Sequence, residues 1–196
     1  ISAPKKGEIL WVGLHQKLQP NWHTYWRYAG DSGLPTQLKW EEFENVDIGK
    51  IHWPLPDIIK VGPLVNYGYE NETLLLIPLT VKKKGPINLK AVAEWLVCRK
   101  ICIPQRKVLS LNLPAGNGEF NPVNASLFKK FRRLVPEELH WPSKVFSIGN
   151  QITLIITMNT DELKSIEALR VFPGIDGLIE NGEIQNFSKN KRNIII

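Results

Sequence analysis

From Ile87 to Val97 apolar side chains occupy every second position, as Ile87, Leu89, Ala91, Ala93, Trp95 and Val97, while Asn88, Lys90 and Glu94 fall between them. A period of two places alternate residues on opposite faces of an extended chain, so this stretch reads as a β-strand with one buried face. A shorter partner follows in Leu109, Leu111 and Leu113, with Ser110 and Asn112 facing outward. The two strands bracket Cys98–Lys107, which is therefore expected to form an excursion at the tip of a hairpin.

The same period recurs on both sides of this hairpin. Leu10, Val12, Leu14 and Leu18 mark one strand face, interrupted by Gln16, and Ile152, Leu154, Ile156 and Met158 mark another. Glycine, proline and asparagine punctuate the runs, a spacing that suggests a β-sandwich. Leu113–Pro122 (LPAGNGEFNP) has a linker's composition, and it divides the chain into two β-rich units, 1–116 and 117–196. A short helix is expected after the linker. Asn124 or Ser126 would cap it, Leu127, Phe131 and Leu134 would share a face, and Pro136 would stop it.

Charge and hydropathy narrow the function. There are 25 Lys and Arg residues against 19 Asp and Glu, giving a net charge of +6, and the excess is scattered. The runs Lys82–Lys84, Lys129–Arg133 and Lys189–Arg192 belong to no nucleic-acid motif and read as solvated faces. No apolar run reaches the roughly 20 residues that cross a bilayer. The opening ISAPKKGEIL lacks the apolar core of a signal peptide, so a targeting segment is expected to have been removed already. The aromatic residues Trp22, Tyr25, Trp26 and Tyr28 read as packing rather than as a sugar platform. Asp31–Ser32–Gly33 and Gly68 read as turns.

The two cysteines, Cys98 and Cys102, lie at the hairpin tip, and three chemistries are open to them. A disulfide closing a ring of about five residues would stabilise the fold by only ~2 kcal/mol, a weak structural staple. A metal clip lacks ligands, because His15, His23, His52 and His140 are dispersed and no second cysteine pair exists. Copper(I), which favours thiolates, is the least excluded ion. A redox pair suits the surroundings, since Arg99, Lys100 and Arg106 favour a thiolate and Pro104 fixes the backbone just after Cys102.

Five stretches then carry a resemblance: PNWHTYWRYAGDSGLPTQLKW (20–40), IHWPLP (51–56), NYGYENETLLLIPLT (66–80), WLVCRKICIP (95–104) and LRVFPGIDGLIENGEI (169–184). In this order they resemble the N-terminal periplasmic region of the DsbD family of thiol:disulfide interchange proteins, most closely its ScsB branch. The resemblance implies a mainly β fold of tandem immunoglobulin-like β-sandwich domains, with a cysteine-bearing insertion in the first. It implies a periplasmic protein-disulfide reductase module without cofactor or metal, belonging to a larger protein whose membrane domain is absent here. Electrons would arrive from a thioredoxin-like domain and leave to a periplasmic thioredoxin-fold disulfide protein. Cys102 would form the mixed disulfides and Cys98 would resolve them. Asn66, Tyr67 and Tyr69 match a loop that caps the site in DsbD. DsbD has an aromatic residue where Asn66 stands and acidic residues where Leu64 and Val65 stand. Shielding would then fall to Tyr67 or Tyr69, and a carboxylate assisting proton transfer is not assured. The alternatives are a binding module of the same fold whose disulfide is only structural, or a copper-handling thiol site.

Overall fold

The computed structural model describes residues 4–116, 118, 122–175 and 177–196. The chain forms two compact units, 1–136 and 137–196. In the first, the strands in chain order are β1 (Ile9–Lys17), β2 (His23–Gly30), β3 (Gln37–Phe43), β4 (Val46–Ile48), β5 (Asp57–Val61), β6 (Leu64–Glu70), β7 (Glu72–Val81), β8 (Ile87–Cys98) and β9 (Cys102–Leu113). They make two antiparallel sheets. One has the order β1-β7-β4; the other runs β3-β8-β2-β6-β5, with β9 paired to β8. The result is a mainly β, immunoglobulin-like sandwich, as the alternation and the resemblance predict.

Its centre is the cluster Val46, Ile77, Leu79, Val81, Ile87, Leu89 and Leu113, with Leu10, Val12 and Trp40 packed against it. Ile87 and Leu89 thus bury the face that the period-two pattern marks. On β1, Gln16 continues the apolar row of Leu10, Val12 and Leu14. It is 6% exposed and meets its polar demand by donating from Nε2 to Thr36 Oγ1 at 3.2 Å. Asparagines with positive φ turn two corners, Asn45 (63°) between β3 and β4 and Asn71 (60°) between β6 and β7. Their short side chains tolerate this left-handed conformation better than most.

A 3-10 turn at Pro122–Asn124 leads into helix α1 (Ala125–Arg132), close to the expected position. Asn124 is the N-cap residue but makes no side-chain cap bond. The helix belongs to the first compact unit. Phe131, 3% exposed, packs on Leu74 and Leu76 of β7, together with Leu127 and Phe128. Glu72 adds a polar tie, accepting from Lys130 Nζ at 2.6 Å and meeting His15 Nε2 at 3.0 Å. The units therefore part after Pro136, beyond the linker at which the sequence reading divides the chain, because α1 closes over an apolar patch of β7. That linker falls partly on residues 117 and 119–121, outside the described set.

The second unit contains β10 (Ser143–Ile148), β11 (Gln151–Thr157), helix α2 (Thr160–Ser165), β12 (Ser188–Asn190) and β13 (Asn193–Ile195). The strands form an antiparallel sheet ordered β10-β11-β13-β12. Met158, Leu163 and Ile194 are its core. Asn159 caps α2 by accepting from Glu162 N–H at 2.8 Å, a local signal that starts the helix. The terminal Asn193–Ile195 supplies β13.

Candidate functional site

At the far end of the β8–β9 hairpin, Cys98 and Cys102 face one another in register and are joined by a disulfide. The turn between the strands is Arg99–Ile101 alone, shorter than the expected excursion, because β9 begins at Cys102 itself. The Arg99 N–H donates to the Ile101 carbonyl at 3.0 Å and tightens this turn. The two sulfurs differ in access. Cys98 is 3% exposed and packs with Tyr25, Ala29 and Leu96, whereas Cys102 is exposed beside Ile101, which is 65% exposed.

Strand β2 supplies the floor. His23 pairs with Cys98 across the sheet, and Thr24 Oγ1 donates to the Leu96 carbonyl at 3.0 Å, fixing β2 against β8. With His23 opposite Cys98, alternation puts Tyr25 on the same face as the disulfide. The Tyr25 hydroxyl lies 3.8 Å from Cys102 Sγ and 3.3 Å from His23 Nε2. The His23 and Tyr25 rings meet edge to face with centroids 5.3 Å apart. Burial holds the His23 pKa below its ordinary value, partly offset by the charge of Glu70. Burial pushes the Tyr25 phenol up, with a hydrogen bond from Ser32 opposing it.

Cations surround the pair but do not bury with it. Arg99 and Lys100 stand exposed inside the ring. Arg106 Nε donates to Glu94 Oε1 at 3.1 Å, a pair more than half exposed on both sides and worth little to stability.

Of the expected capping residues, Tyr67 and Tyr69 lie away from the disulfide and Asn66 lies on its face. Asn66, Tyr67 and Tyr69 belong to strand β6, not to a loop. Tyr25 is paired with Gly68 and Thr24 with Tyr69, so Tyr67 and Tyr69 occupy the sheet face opposite the disulfide. Tyr67 is fully buried against Trp26, with ring centroids 6.4 Å apart. Tyr69 donates its hydroxyl to the Pro54 carbonyl at 2.8 Å, and burial pushes its phenol far above the ordinary range. Asn66 does lie on the disulfide's face, and its Oδ1 accepts from Ser32 N–H at 3.0 Å and Ser32 Oγ at 3.2 Å.

Gly68, expected as a turn, is a strand residue. A Cβ there would come within 2.1 Å of the Thr24 carbonyl oxygen, so its role is the close approach of β6 to β2. The aromatic stretch also divides by alternation. Trp26 and Tyr28 pack edge to face beside Arg27, while Tyr25 turns toward the sulfur. Tyr25 is a site residue that the sequence reading takes for packing, and His23 is one that it weighs only as a dispersed metal ligand. Their position two residues apart is visible in the sequence, but the register that sets them beside the cysteines is not.

No group of three or more His, Cys, Asp or Glu residues placed to hold a metal occurs among the described residues. No helix among them is long and apolar enough to cross a membrane.

The fold and the site together define an immunoglobulin-like sandwich that carries a disulfide at one hairpin tip, with one cysteine exposed and the other buried. The profile described as "Thiol:disulfide interchange protein DsbD, N-terminal" matches residues 1–114, and the chain belongs to this family. Among solved structures it is similar to the N-terminal periplasmic domain of ScsB from Proteus mirabilis, at 24% identity and a TM-score of 0.59. That likeness covers 79% of this chain and 60% of the other, so the chain spans less than two thirds of that domain's length. No curated protein sequence matches it.

Proposed function

We propose that the chain is a periplasmic relay module in which Cys98 and Cys102 pass two electrons from a thioredoxin-like donor to a thioredoxin-fold disulfide partner. The observation that carries this reading is the unequal access of two bonded sulfurs at a hairpin tip. A partner can reach Cys102 Sγ, and only Cys102 can reach Cys98.

In the loading half, a donor thiolate attacks Cys102 Sγ and the S–S bond to Cys98 breaks. The donor's second thiolate then attacks its own sulfur in the mixed disulfide. Donor disulfide and reduced pair result. In the delivery half, the Cys102 thiolate attacks a partner disulfide and expels one partner thiolate. Cys98, deprotonated, then attacks Cys102 Sγ, re-forms the ring and expels the second. Two electrons and the two thiol protons of the pair end on the partner. In this reading Tyr25 shields the pair, Asn66 acts behind it, and Tyr67 and Tyr69 hold β6 from the far face.

Single-cysteine variants test the roles. Reduced Cys98→Ser, mixed with an oxidised thioredoxin-fold protein, should accumulate a mixed disulfide on non-reducing electrophoresis. Reduced Cys102→Ser should accumulate none. Equal trapping, or equal failure, removes the assignment.

A further inference from the structure

Tyr25 is held from several sides. Its hydroxyl lies 3.8 Å from Cys102 Sγ and 3.3 Å from His23 Nε2, and the Ser32 side chain also reaches it. A disulfide sulfur carries no hydrogen, so in the contact with Cys102 the phenol O–H is the donor. Ser32 is itself fixed, because its N–H donates to Asn66 Oδ1 at 3.0 Å; its Oγ lies 3.2 Å from the same oxygen, and its single hydroxyl hydrogen serves either that oxygen or the Tyr25 phenol. Asn66 and Tyr25 are each 1% exposed. The ring is also pinned by packing. Gly33 adopts φ +95°, and a Cβ at that position would stand 2.2 Å from two ring carbons of Tyr25. Only glycine lets the loop lie this close in that conformation.

We propose that Tyr25 donates the hydrogen bond that stabilises the Cys102 thiolate, and that Ser32 and Asn66 are the positioning residues that aim it. This rests on the reading of Cys98 and Cys102 as an exchange pair. A free cysteine titrates near 8.5, so little of it is thiolate at neutral pH. A hydrogen bond to the charged form shifts the balance toward thiolate. Burial keeps the Tyr25 proton in place, so the phenol remains a donor throughout. The proton that leaves Cys102 goes to solvent, and Tyr25 retains its own.

The other charges facing the sulfur act differently. Arg99 and Lys100 are exposed, Arg106 is paired with Glu94, and Glu70 lies opposite His23 in the sheet. Solvent-exposed cations act through water and fade as salt is raised. A direct, part-buried hydrogen bond is screened far less. The Asp31–Gly33 turn thereby gains a role that its turn-forming sequence does not suggest. It brings Ser32 to the Tyr25 hydroxyl, which touches the Cys102 sulfur.

The test uses the full chain in the Cys98→Ser background, where Cys102 is the single thiol, and follows its alkylation by iodoacetamide from pH 5 to 10. Adding Tyr25→Phe should slow alkylation at pH 7 by about tenfold and move the midpoint upward, in high salt as in low. Ser32→Ala and Asn66→Ala should move it in the same direction by less, and neither should add anything once Tyr25 is Phe. A residue that merely supports the fold would lower the melting temperature and leave the midpoint in place. That outcome, or additive effects of Ser32→Ala and Tyr25→Phe, overturns the proposal. The unsubstituted reduced chain is also mixed with 2-hydroxyethyl disulfide. Failure to exchange removes the relay reading itself. Exchange with an unmoved midpoint in Tyr25→Phe removes only the role given to Tyr25.

Discussion

His23 shows how one residue links the site to stability. It is 3% exposed, and desolvation lowers its pKa from the ordinary 6.5 despite the opposing charge of Glu70. The folded chain then binds this proton less readily than the unfolded chain does. The resulting contribution to stability is complete above about pH 6.5 and is lost as pH falls toward the lowered pKa. Glu72 behaves differently. Its pKa is lowered from 4.5, first by the hydrogen bond from Lys130 and then by His15, so its contribution is present above that value and disappears in a more acidic window. Melting temperature measured from pH 8 to 3 should therefore decline below about 6.5 and again in the acidic range below 4.5. His23→Gln should flatten the first part of the curve and leave the more acidic decline intact. An unchanged slope in His23→Gln would show that the imidazole is not the group responsible.

Among the elements, legibility followed burial. Strand β8 was plain in the sequence because Ile87 and Leu89 pack in the central cluster and Ala91 and Ala93 continue the buried row. Only the last part of β9, Leu109–Leu113, was plain. From Cys102 to Val108 that strand is exposed at every residue, so no buried face imposes alternation on Ile103–Pro104–Gln105–Arg106–Lys107. Helix α1 was visible from its spacing, but its attachment was not, because a helical apolar face does not say which sheet it covers. The cysteines were legible as a chemical pair from their spacing and charge. Their neighbour Tyr25 was hidden, since cross-strand register is a property of two strands and is not encoded in either alone. The same limit misplaced the shield on Tyr67 and Tyr69, which alternation turns away from the disulfide. The attachment of α1 can be tested in the full chain. Phe131→Ala removes the ring buried over Leu74 and Leu76 and should destabilise the first unit by about 3 kcal/mol or more. If α1 were only a tether, urea unfolding of that variant would coincide with that of the parent chain.

For the molecule as a whole, the arrangement separates the disulfide from the central core. The central cluster around Ile77, Leu79 and Ile87 shares no residue with the Tyr25, Ala29 and Cys98 cluster beneath the disulfide. The S–S bond closes a ring between residues four apart in sequence, a constraint worth only ~2 kcal/mol in the unfolded chain. The family match ends at residue 114, yet the compact unit continues to Pro136, and α1 packs on β7, in the sheet that does not carry the cysteines. A relay needs this separation, because it must gain and lose the bond at every turnover without unfolding. Reduction with dithiothreitol should accordingly lower the melting temperature of the first unit by no more than about 4–8 °C, with the β-sheet circular dichroism retained. A bond whose reduction abolished the cooperative transition would instead be a structural clasp, and the chain would then be a binding module of the same fold.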